Sequence, residues 1–84
     1  FFIAGIWACE AGLGLWDLAH ERHRELAELL VEVAVVDDDL AWCCEEVARI
    51  AERDGDARAL AEARALADAQ RRALAGEAGR GYRP

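Results

Sequence analysis

His20 and His23 stand three residues apart in LWDLAHERHRELAELL, and Asp17 stands three residues before the first of them. On a helix these positions fall on one side over successive turns, so two imidazoles and a carboxylate are placed where a metal or a haem iron could be ligated. The spacing fits no signature of metal chemistry. A zinc-hydrolase helix needs H-E-x-x-H, with its histidines four apart, and His20-Glu21-Arg22-His23 is one residue short. Di-iron bundles take Glu-x-x-His from two helices, and Asp17-Leu18-Ala19-His20 is one imperfect copy. Arg22 and Arg24 among Glu21, Glu25 and Glu28 make a solvated helix face laced with weak ion pairs. Both histidines are therefore expected to be structural, with no cofactor and no metal. A metal- or haem-binding bundle using His20, His23 and Asp17 is the alternative. His23 lies between Ala19 and Leu26 on the apolar side, so partial burial is expected of it.

Other chemistry is scarce. The chain has no serine, threonine, lysine, asparagine or methionine, a bias that fits a GC-rich genome or an artificial reduced-alphabet design. The apolar first residue and the missing methionine fit a fragment of a longer array. Three cysteines, two of them adjacent at Cys43 and Cys44, do not make a disulfide framework. A reducing, cytoplasmic setting is the expectation. Cys9 and Cys44 occupy apolar stripe positions, where cysteine packs as a small apolar residue. Acid neighbours Glu45 and Glu46 oppose thiolate formation, so no catalytic residue is expected and the chain reads as no enzyme.

The elements that must position these residues are all helical. Eighty-four residues make one domain, near the size at which a single core is marginal and a neighbouring chain helps. Phe2, Ile6, Cys9, Leu13 and Trp16 recur at helical spacing and predict one buried face. Leu26, Leu30 and Val33 form a second stripe, and Leu40, Cys44, Val47 and Ile50 or Ala51 a third. The triplet Asp37-Asp38-Asp39 reads as a turn and helix start, since carboxylates there satisfy free N–H groups and oppose the helix dipole. Gly55-Asp56 ends one helix and caps the next, which has alanine at nine of the nineteen positions from 57 to 75. The expected fold is all-α: antiparallel helical hairpins, three to four helices in a small bundle or short helical-repeat unit. Helices are predicted over 2–14, 17–36, 39–53 and 57–75, in a single domain 1–76 followed by a loose tail 77–84.

Charge is divided unevenly, at minus 9 over residues 1–46 and plus 2 over 47–84, and the net of minus 7 argues against nucleic acid as a partner. Residues 1–16 carry one charge, Glu10, and are shorter than the about 20 apolar residues a membrane span needs, so membrane anchoring is the lesser expectation.

W-x-C-E occurs at Trp7 to Glu10 and again at Trp42 to Glu45, an offset of thirty-five. An offset of thirty-four pairs Leu13-Gly14 with Val47-Ala48, Leu26 with Leu60 and Val33 with Ala67. With Leu30, Ala51 and Gly55-Asp56 added, residues 7–72 resemble tetratricopeptide-type helical repeats. Arg64 and Leu60 stand where that pattern has an aromatic and a small residue, and its closing proline is missing from both copies. The resemblance implies a protein-binding scaffold needing neighbouring repeats or an oligomer to cover its apolar faces. Read from the residues or from the resemblance, the expected function is protein–protein interaction or homo-oligomerisation, with Phe2, Ile6, Trp7, Trp16 and Trp42 as partner-binding anchors.

Overall fold

The structure is a computed structural model that describes residues 2–81, with side chains described to residue 76. Four helices follow one another: α1 (Phe2–Gly12), α2 (Trp16–Glu32), α3 (Asp38–Asp54) and α4 (Ala57–Gly81). The described residues contain no strand. The closest packing is between α3 and α4, followed by α1 with α2 and α1 with α3. Two hairpins therefore meet through their first helices.

Both hairpins turn in the same way. Gly14 and Gly55 adopt left-handed backbone with φ of 74° and 76°, a region that glycine enters without steric cost. Each is followed by a residue whose N–H reaches back to the last helical turn, Leu15 to the Glu10 carbonyl at 2.9 Å and Asp56 to the Ala51 carbonyl at 3.0 Å. These equivalent glycines are forty-one residues apart. The W-x-C-E copies are not equivalent: Trp7 and Glu10 are buried with Cys9 exposed, whereas Trp42 and Glu45 are exposed with Cys44 buried. Leu13-Gly14 lies in a turn while Val47-Ala48 lies buried within α3.

The third stripe is in the core as expected, with Leu40, Cys44, Val47, Ile50 and Ala51 buried. Asp37 caps α3 by accepting from the Asp39 N–H at 2.7 Å. α4 buries Ala59, Ala63, Ala67 and Gln70, a small-residue face that brings it close to α3.

Three expectations need correction. The first concerns α1, whose buried residues are Ala4, Trp7, Glu10 and Ala11. The predicted stripe of Phe2, Ile6, Cys9 and Leu13 faces the other way, with Phe2, Cys9 and Leu13 exposed. α1 is apolar on nearly every side, so periodicity could not select its inner face. Two features select it: Ala4 and Ala11 permit close approach, and Glu10 is held by Arg22 of α2 at 3.1 Å. Second, α2 ends at Glu32 rather than 36, and Val33 is extended at φ −125°, ψ 115°. Valines lose side-chain freedom in a helix, and here the released backbone finds partners. The Gln70 amide donates to the Val35 carbonyl at 2.8 Å and accepts from the Asp37 N–H at 3.1 Å. Third, α4 continues past Gly76 to Gly81 where a stop was expected at Ala75. A glycine costs only about 1 kcal/mol against alanine inside a helix, and Gly76 does not take the left-handed backbone that would end one. Residues 82–84 of the expected tail lie outside the described residues, as does Phe1.

Gln70 thus ties α4 to the α2–α3 connection from a buried position. Replacing it with leucine keeps the volume but strands two backbone groups, at an expected cost of about 1–3 kcal/mol in chemical denaturation. A Gln70→Leu chain as stable as the parent would show that those groups find water instead.

Candidate functional site

Two regions bear on function: the histidine cluster between α2 and α4, and the outer side of α1. In the cluster, His20 Nε2 lies 2.9 Å from Asp56 Oδ2, and His20 Nδ1 lies 3.6 Å from Glu62 Oε1. His23 Nδ1 lies 3.1 Å from Glu62 Oε2. The shared face expected of the two imidazoles is present, and both reach the same carboxylate. Asp17 does not join them: it is exposed and lines the same open cleft of about 460 Å³ without entering an ion pair among the described residues. The carboxylates come instead from the α3–α4 turn and from α4.

Local structure fixes each member. Asp56 accepts from the Ala59 N–H at 3.0 Å as the cap of α4, and that bond, with the one from His20, holds its carboxyl below the usual range. Trp16 lies 6.1 Å from the His20 ring and donates its indole N–H to Asp54 at 3.0 Å. Trp7 lies 5.7 Å from the His23 ring. Burial pushes the affinity of His23 for a proton down; Glu62 opposes this, and Arg58 and His20 add to it. Glu62 Oε1 is buried with no hydrogen-bond partner, although the Arg58 Nε is 3.5 Å away.

No group of three or more His, Cys, Asp or Glu side chains among the described residues is arranged to hold a metal ion. What the cluster can do is exchange protons and hold helices together. Sequence reasoning read Asp56 only as a cap and passed over Glu62, because no local spacing predicts which α4 residue will meet α2.

The thiols are free and differ in environment. Burial raises Cys43, and it pushes Cys44 up to about 12, so neither is a ready nucleophile. Cys9, expected in a buried stripe, is exposed on the outer side of α1.

That outer side is the second region. Phe2 is 84% exposed and Leu13 75%, with Gly5, Ile6 and Cys9 between them along a shallow groove of about 590 Å³. The apolar surface continues past Gly5, Ala8 and Gly12 into a second groove of about 410 Å³, bounded on α3 by Trp42, Arg49 and Arg53. Trp42 is 59% exposed. Two of the five expected anchors are placed differently. Trp7 is core, only 2% exposed, as the largest side chain on the inner face of α1. Trp16 is half-buried and spends its N–H and ring on Asp54 and His20. Phe2, Ile6 and Trp42 line the outer surface.

No known protein family, curated protein or solved structure matches this chain. Its function must be read from the surface itself. No helix among the described residues is long and apolar enough to cross a membrane; α1, the most apolar, has eleven residues.

Proposed function

We propose that the chain is a non-catalytic helical association module that lays the outer face of α1 against a helix of a second copy of the chain. One observation carries this reading: α1 is apolar on nearly every side, yet its neighbours α2 and α3 cover only one part of it. Helices of that composition are normally enclosed, and contiguous exposed apolar surface on a small protein marks a contact site. Its single charge, Glu10, is only 8% exposed and is paired with Arg22, so it adds little charge for α1 to desolvate. Trp42, Arg49 and Arg53 at the edge are residue types enriched at the centres of interfaces. The stack of two like hairpins joined through α1 and α3 supports the same reading, since such stacks extend by adding a further helix to an open face.

Cys9 provides the test, because it sits in the proposed interface and is the exposed thiol of the three. Its alkylation rate under pseudo-first-order reagent is expected to fall as protein concentration rises, and modified chains are expected to stay dissociated. A rate independent of protein concentration, with modified and unmodified chains of equal mass, would contradict the proposal.

A further inference from the structure

The histidine cluster lies apart from the proposed interface. Its place in the fold points to another role. α2 packs on α1, and α4 on α3, and the polar ties between α2 and the α3–α4 hairpin near its turn run through Trp16, which donates to Asp54, and through His20 and His23. The groups facing His23 are Glu62 and Arg58 from α4, His20 from its own helix, and the uncharged ring of Trp7 from α1. Asp56, at the turn, faces His20. An imidazolium at His20 would lie against two carboxylates. One at His23 would share Glu62 with Arg58 and His20 while losing most of its water, since only 17% of its side chain is exposed.

We propose that this cluster is an acid-released clasp: protonation of His23 between neutral pH and about pH 5 frees the middle of α2 from α4 without unfolding the α3–α4 hairpin. Geometry supplies the device, a titratable ring enclosed at a seam and facing a carboxylate that the Arg58 guanidinium also approaches, at 3.5 Å. The direction follows from linkage. Because burial holds the proton affinity of His23 below that of an exposed histidine, the open form binds the proton first. Closure is therefore fully favoured above the ordinary histidine range near pH 6.5 and weakens as pH falls through it. The carboxylates held low by their partners, Asp54 and Asp56 among them, titrate below this window.

The test is amide hydrogen exchange across α2 at about pH 7 and about pH 5, corrected for intrinsic rates, with the two imidazoles followed by NMR. Residues around His23 are expected to exchange on the order of tenfold faster at the lower pH, while α3 is unchanged. The His23 ring is expected to titrate below an exposed histidine, and the acceleration should vanish in His23→Gln but persist in His20→Gln. Equal corrected exchange at both pH values, persistence of the effect in His23→Gln, or a His23 ring titrating at or above the exposed range would overturn the proposal. If His23→Gln does not fold, the exchange and the ring titration of the unsubstituted chain decide it.

Discussion

Trp7→Ala is expected to be the most damaging single substitution in the chain, lowering stability by about 3–5 kcal/mol in urea or thermal denaturation. Trp7 is the largest fully buried side chain and belongs to the one core cluster that α1 shares with Leu26 of α2, Val47 of α3 and Ala63 of α4. The neighbours on its own helix, Ala4 and Ala11, are too small to fill the space. A domain of 84 residues has only about 4–13 kcal/mol in hand, so the variant should be largely unfolded or confined to its α3–α4 hairpin. Leu26→Ala, also fully buried, is the matched comparison from α2. Trp42→Ala is the matched comparison from outside the core, and it should leave stability within about 0.5 kcal/mol. Equal effects at Trp7 and Trp42 would mean that Trp7 does not occupy the core position assigned to it.

The second large effect concerns association. In an Ile6→Glu, Leu13→Glu chain, two carboxylates enter a groove whose one charged residue, Glu10, is itself a carboxylate, with no cation on α1 to pair them. Desolvating them against another apolar helix is strongly unfavourable. Dissociation constants should rise by about 100-fold or more, equivalent to about 3 kcal/mol. Neither side chain is in the core cluster, so helicity and the denaturation midpoint of the dissociated chain should hold. Unchanged association in this variant, with the fold intact, would move the contact site away from α1.

Much of the fold is legible in the residues because turn chemistry and periodicity agree where they coincide. Gly55-Asp56 combines a left-handed glycine with a capping carboxylate, and it marks the hairpin turn in letters as well as in space. The α3 stripe is legible because polar residues fill its other face. α1 offers no such contrast, and its orientation is decided by Arg22, twelve residues away, forking onto Glu10. The end of α2 depends on Gln70, thirty-three residues from Asp37, and nothing near 33–37 announces it. The same distinction holds in the site. His20 and His23 are paired by helical spacing, a local property, whereas their partners Asp56 and Glu62 arrive through tertiary packing. The two W-x-C-E copies show the same distinction: identical letters on α1 and α3 meet opposite environments.

Sedimentation equilibrium over a concentration series from about 1 µM to about 100 µM tests the central claim that the outer face of α1 is a contact surface. The expected mass rises with concentration above the 9.2 kDa of one chain and returns to it in the Ile6→Glu, Leu13→Glu variant. A mass fixed at 9.2 kDa throughout the series, with Phe2, Ile6 and Leu13 open to water, would contradict it.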